Sequence, residues 1–248
     1  MQIYIINLER SSTRREVMRE RLNALGVQFQ FVAAVDGKAG AHHLFPNYDP
    51  AFCLRAWRRP LSPGETGCFA SHYQLWQHCV ASNEPMIVME DDVDVWPRFG
   101  EAVELLPGLG GHGYIRLSGM SSSRAFRDVP AGLPDDWKLV RFLDGPMGTQ
   151  CYALFPGGAK RLLAGAAEWT MPVDNYMDSF WHHGVPCLGL LPFVTHQDRT
   201  GSDIRDMGGF HDPVWKPKRV AVRLMDSARR VAWNMAAGSG LHTGEAES

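Results

Sequence analysis

The sequence predicts an α/β fold in which a mostly parallel central sheet lies between helices, and three observations predict it. Residues 2–35 read strand, helix, strand, which is a βαβ unit with parallel strands and a ligand edge at their carboxyl ends. A strong helix start follows at Ser62-Pro63-Gly64-Glu65. The apolar run Met86-Ile87-Val88-Met89 then reads as a short buried strand, and it ends on Glu90-Asp91-Asp92.

Taken in order, residues 2–8 (QIYIINL) form the first buried strand. Val17, Met18, Leu22 and Leu25 make one helical stripe; Thr13 with Glu16 fits a capping box at its start, and Gly26 sits where the helix stops. Residues 27–35 form the second strand, closed by the turn pair Asp36-Gly37. Residues 38–61 show no period and read as loop, with arginines at 55, 58 and 59. The helix from Ser62 runs to about residue 81, where Asn83-Glu84-Pro85 breaks it. Further strands are predicted at 113–118, 137–143, 149–155 and 187–195, and helices at 157–167 and 173–183. Residues 1–212 are expected to form the main domain, 213–236 a basic amphipathic helix, and 237–248 a frayed tail.

The chain's 248 residues suffice to bury a large core. A net charge of −2 argues against a dedicated nucleic-acid binder. The five cysteines are odd in number and contain no CxxC pair, so reduced thiols are expected. With an opening that reads as a strand and no run long enough to span a bilayer, these features point to the cytosol.

The acidic strand end carries the most chemistry. Side chains alternate on a strand, so Glu90, Asp92 and Asp94 are expected to project together. Carboxylates crowded in a cleft repel unless a cation neutralises them, and hard oxygen donors suit Mg²⁺ or Mn²⁺. Such a cation stabilises a departing diphosphate. The plain alternative is a solvated acidic turn.

Several segments resemble glycosyltransferase family 25, which includes bacterial lipopolysaccharide and lipooligosaccharide galactosyltransferases. They are Ile6-Asn7-Leu8-Glu9-Arg10-Ser11 with Arg14 and Arg15; Ala33-Ala34-Val35-Asp36-Gly37; Leu61-Ser62-Pro63-Gly64-Glu65-Thr66-Gly67-Cys68 running to Ser71-His72; and Met89-Glu90-Asp91-Asp92-Val93. Gly148-Thr149 with Tyr152, Gly158-Ala159-Lys160, Pro172-Val173-Asp174, and Gln197 with Ser202-Asp203-Ile204 follow in the same order. The resemblance implies a GT-A-like fold, a UDP-sugar donor (often UDP-galactose), a divalent metal, usually Mn²⁺, and an inverting reaction. Thr66 departs from the aliphatic residue usual at that place.

On that resemblance Glu90 and Asp92 are the expected metal ligands, completed by His196, since a late histidine closes the metal shell in many GT-A enzymes. Asp91 faces the ribose, and Asp94 is a surface acid. Asp174 is the candidate base for the acceptor hydroxyl, with Asp178 one turn later as second choice; a cap role is the plain alternative for Asp174. Asn7, Arg10 and Arg14 follow the first strand, where a forked guanidinium can hold phosphate. Asp36 is placed to accept from ribose or base, and Gly148 with Thr149 to line the sugar pocket.

Cys68, His72 and Cys79 share a helical stripe; a packed core histidine is the plain reading and a zinc site the sharper one. In the C-terminal helix, Val220, Leu224, Ser227/Ala228 and Val231 share a face, Trp233 follows, and Lys216, Lys218, Arg219, Arg223, Arg229 and Arg230 oppose one acid, Asp226. That pattern suits the inner face of the cytoplasmic membrane. The function expected is transfer of a hexose from a UDP-sugar to a lipopolysaccharide or other surface-glycan hydroxyl, carried free or on lipid. The rivals are a metal-dependent nucleotide-sugar hydrolase or nucleotidyltransferase, and a non-catalytic nucleotide-sugar-binding protein.

Overall fold

Apolar residues on both faces make β1 (Gln2–Asn7) a central strand, because such a strand must be covered on each side. It lies between parallel neighbours β2 (Phe29–Ala33) and β3 (Met86–Glu90), with Ile5 opposite Phe31 on one side and Met89 on the other. The computed structural model describes residues 1–57, 59–119, 125–197 and 216–236, without the side chains of 55–57, 197 and 216–219. The Ser202-Asp203-Ile204 segment, the expected boundary at 212 and the tail 237–248 lie outside the described residues, as does Arg58.

The remaining strands of the main sheet are β5 (Tyr114–Arg116), β6 (Phe126–Val129), β7 (Lys138–Phe142), β8 (Cys151–Leu154) and β9 (Leu188–Leu191). Their order is β2-β1-β3-β8-β5-β9-β7-β6. Only β7 and β8 run against the other strands, so the sheet is mixed with one dominant direction. Antiparallel β8, wedged between β3 and β5, brings residues 148–150 beside the end of β3.

Strand alternation divides the core. Ile3, Ile5, Ile87 and Met89 face α1 (Ser12–Ala24) through Met18 and Leu22, and α4 (Phe99–Leu105) through Phe99 and Ala102. Ile6, Met86 and Val88 face α3 (Pro63–Ser82) through Phe69 and Trp76, and α5 (Pro156–Gly165) through Ala159 and Leu162.

The Ser62 box forms as expected. Ser62 Oγ accepts from Glu65 N at 3.2 Å, and Glu65 Oε2 accepts from Ser62 N at 2.7 Å. Asn83 ends α3 in the left-handed region. Thr66 is accommodated because its Oγ1 donates to Ser62 O at 3.1 Å.

Other local expectations need correction. The Thr13–Glu16 box is absent: α1 starts two residues earlier, with Ser11 at its cap, and Glu16 pairs with Arg19 instead. The supposed loop 38–61 contains α2 (Pro50–Trp57), capped by Asp49 Oδ1 accepting from Phe52 N at 2.9 Å. The predicted helix 173–183 breaks at Ser179 into α6 (Val173–Asp178) and α7 (Phe180–His183). Strand 187–195 stops at Leu191. Thr195–Gln197 forms β10, which pairs with β4 (Val93–Val95) in a separate ribbon.

The last helix, α8 (Lys216–Ala236), docks on the domain through a different face from the expected stripe. Trp233 packs on Phe180 with centroids 4.8 Å apart, Arg230 pairs with Asp144 at 2.5 Å, and Asn234 Nδ2 donates to Leu143 O at 2.9 Å. Val220, Leu224 and Val231 are left exposed together with Met235. Among the described residues, no helix is long and apolar enough to cross a membrane.

Candidate active site

The carboxyl ends of β1, β2 and β3 open into a cleft of about 300 Å³, closed on its far side by residues 148–150 and by Pro172–Asp174. Its walls meet through two glycines. A Cβ on Gly37 would fall 1.6 Å from Pro63 O, and one on Gly67 would fall 2.4 Å from Val35 O. Backbone contact between the Asp36-Gly37 turn and the start of α3 therefore requires glycine at both places. Ser71 Oγ accepts from Val35 N at 2.8 Å and locks the same junction.

Three consecutive acids take three different roles, because the strand ends at Glu90 and the chain turns. Glu90 Oε1 accepts from Thr149 Oγ1 at 2.6 Å and lies 3.4 Å from His72 Nε2. Against the cost of burial, His72 and Thr149 hold its carboxyl below the usual range. Asp91 accepts from Asn7 Nδ2 at 2.6 Å and from Arg14 Nη1 at 3.3 Å. Burial still pushes its carboxyl up despite those partners. Asp92 is pushed up to about 7 by burial, with the Glu90 charge next, and its Oδ1 is buried without a hydrogen-bond partner. Asp94 departs from the predicted cluster: its carboxylate meets Arg21 at 2.7 Å, because alternation holds only while the strand continues.

Of the predicted site residues, Arg10, Arg14, Asp36, Glu90, Asp91, Asp92, Gly148, Thr149 and Asp174 all line the cleft. Arg10 bonds Asp36 at the rim. Asn7 is buried below and acts through Asp91. Gly148, at φ +81°, turns its carbonyl to Arg116, and a Cβ there would strike the Gln150 amide. Asp174 sits in the first turn of α6; burial raises its carboxyl, and Oδ1 accepts from Asn175 N at 2.8 Å.

Two predicted residues stand elsewhere. His196 is exposed on β10, opposite Asp94 in the ribbon register, and does not line the cleft. Asp178 points away from the cleft, pairs with buried Arg116 at 2.5 Å and accepts from Met147 N at 2.9 Å. A short helix broken at Ser179 carries Asp174 and Asp178 to different surroundings. Cys79 is also remote from the cleft, with Sγ near Leu154 O; Glu90, not Cys79, joins Cys68 and His72.

Lys38, Gln150 and Arg116 belong to the site without being among the sequence-predicted residues. Lys38 and Gln150 line the cleft, and Arg116 braces it from behind. Lys38 directly follows the Asp36-Gly37 turn at the strand's ligand end, and Arg116 is a cation inside an apolar strand, which itself signals a buried partner.

The donor set fits a hard divalent cation. Glu90 and Asp92 offer carboxylate oxygens, and the buried, unpartnered Asp92 Oδ1 is costly to ionise without a positive charge beside it.

A mixed α/β sheet with acids clustered at the carboxyl end of a central strand defines a GT-A-like architecture. The model of glycosyltransferase family 25 (LPS biosynthesis protein) matches residues 1–177, and the chain belongs to that family. It is 38% identical over 182 residues to a glycosyltransferase 25 family member of Aedes aegypti, covering 71% of this chain and 30% of that protein. It is 36% identical over 101 residues to procollagen galactosyltransferase 2 of Homo sapiens, covering 37% of this chain and 16% of that protein. A probable inactive glycosyltransferase 25 family member 3 of Rattus norvegicus is 33% identical over 227 residues, covering 82% and 39%. The chain thus spans well under half the length of these relatives.

Proposed function

We propose that this protein transfers a hexose, galactose first, from a UDP-sugar to a hydroxyl of a lipid-linked surface glycan, with inversion and with Mn²⁺ or Mg²⁺ as the assisting ion. The observation that carries the reading is the convergence of Glu90, Asp92 and Asp174 on one cleft at the carboxyl ends of β1 to β3. Family membership and the galactosyltransferase name of one relative support the class of donor.

A divalent cation bound by Glu90 and Asp92 supplies charge neutralisation to the leaving diphosphate. Arg14 and Lys38 line the same space and add positive charge toward the phosphates. Asp174 accepts the proton of the acceptor hydroxyl as its oxygen bonds to the anomeric carbon and the bond to UDP breaks. Its raised carboxyl makes it a stronger base than an exposed aspartate, and Oδ1 is anchored by Asn175 N, which leaves Oδ2 for the acceptor. Gly148 and Thr149 shape the sugar end of the cleft.

The acceptor's lipid is suggested by α8. Val220, Leu224, Val231 and Met235 form an exposed stripe with Arg223 at its edge, and anionic lipid attracts each exposed cation near it by about 1 kcal/mol.

The test is calorimetric titration with UDP-sugars, with and without Mn²⁺, joined to a transfer assay of Asp174→Asn. The reading expects metal-dependent donor binding that Asp174→Asn keeps while turnover falls at least about 100-fold. Unchanged turnover in that variant would remove Asp174 as the base.

A further inference from the structure

The contact between His72 and Glu90 is longer than an ordinary hydrogen bond. His72 is fully buried, and its Nε2 has no hydrogen-bond partner although Glu90 Oε1 stands 3.4 Å away. A normal N–H···O bond is near 2.9 Å. The ring is fixed from behind: Nδ1 meets Tyr152 Oη at 2.9 Å, and Tyr152 Oη also accepts from Trp76 Nε1 at 2.9 Å. Cys68 lies one helical turn before His72 on the same face of α3, and it lines the cleft, whereas the other four cysteines are buried. Cys68 Sγ, a His72 nitrogen and a Glu90 oxygen all lie within 4.8 Å of one another.

Sulfur, imidazole and a single carboxylate are the donors of a thiophilic ion. Donors about 2.05 Å from a tetrahedral zinc stand about 3.4 Å apart along each edge, which matches the observed His72 to Glu90 spacing. Three protein ligands with a fourth position facing a cleft are the pattern of an accessible zinc.

We propose that Cys68, His72 and Glu90 bind one Zn²⁺ at the floor of the cleft, with its fourth position open to solvent or ligand. Zinc takes the Cys68 thiolate, whose proton passes to solvent, and the lone pair of His72 Nε2. The ring hydrogen then sits on Nδ1 and is donated to Tyr152 Oη, while Thr149 Oγ1 steadies Glu90 from outside the coordination shell. Occupancy withdraws Glu90 from the hard cation it would share with Asp92, so zinc inhibits transfer. Only this last consequence rests on the transferase reading.

The experiment uses the full chain stripped with EDTA and titrated with Zn²⁺ against a chromophoric chelator, and in parallel with Co²⁺ by absorption. The expected result is one equivalent bound, with a thiolate-to-cobalt charge-transfer band and the intense visible bands of four-coordinate cobalt. Cys68→Ala, at a residue lining the cleft, loses the charge-transfer band and binds zinc at least about 100-fold more weakly. Asp92→Asn keeps the band, so loss of turnover there with zinc binding intact separates the two readings. Absence of the band in the wild type, its survival in Cys68→Ala, or its loss in Asp92→Asn overturns the donor set.

Discussion

Arg116 and Asp178 form a buried ion pair behind the cleft, with Nη2 and Oδ1 2.5 Å apart and the guanidinium side chain 1% exposed. The pair secures the 145–149 loop at two adjacent residues, because Arg116 also donates to Gly148 O and Asp178 accepts from Met147 N. Removing one partner strands the other charge. Asp178→Ala is therefore expected to lose about 3–5 kcal/mol of stability in urea unfolding. A variant of wild-type stability that lost only kcat would instead make Asp178 a catalytic group.

The junction of Gly37 with Pro63 and Gly67 leaves no room for a methyl group, and the obstructing atoms are backbone. Gly67→Ala is expected to cost at least about 2 kcal/mol and to weaken donor binding, since Asp36 and Lys38 ride on that turn. Thermal unfolding with donor titration checks both effects. Gly157→Ala, where a Cβ meets nothing within 4 Å, is the control expected to change little.

His183 is held neutral in a defined tautomer. Nδ1 accepts from Val185 N at 3.1 Å, and Nε2 donates toward the Tyr176 and Met177 carbonyls at 3.2 and 3.3 Å. Burial lowers its pKa from 6.5 to about 4. Unfolding frees a group that binds a proton already near pH 6.5, so this contribution is whole above that pH and is lost as pH falls to 4. The loss is about 3 kcal/mol. Urea midpoints from pH 8 to 4 measure it, and His183→Gln should flatten that part of the profile.

On α8, the two faces should separate in experiment. Leu224→Asp with Val231→Asp is expected to reduce binding to vesicles containing anionic lipid at least about tenfold without lowering the melting temperature. Trp233→Ala should lower the melting temperature instead, because Trp233 packs on Phe180. Vesicle co-sedimentation with calorimetry distinguishes them, and unchanged vesicle binding in the double variant would remove the lipid surface as partner.

What the sequence disclosed follows the range of the physics involved. The βαβ start and the strand ending on Glu90 were legible because periodicity and burial are local. The α3 cap was legible because Ser62 and Glu65 satisfy each other within one turn. The segment 38–61 hid α2, although Asp49-Pro50 carried a cap signal, and β6 was hidden because its exposed residues show no apolar alternation. Gly148 and Thr149 were legible only through the family resemblance, since antiparallel β8 places them by long-range pairing. The same non-local geometry sent Asp178 behind the cleft and His196 to the ribbon.

The central claim is that Glu90 and Asp92 hold a cation that lets UDP leave. The most direct measurement is UDP release from a panel of UDP-sugars, with Mn²⁺ and with EDTA, by the wild type and Asp92→Asn, with inorganic phosphate followed in parallel. The account predicts that one donor gives metal-dependent release of intact UDP, and that Asp92→Asn abolishes it. Release of inorganic phosphate in place of UDP, turnover that persists in EDTA, or an Asp92→Asn variant as fast as wild type would contradict it.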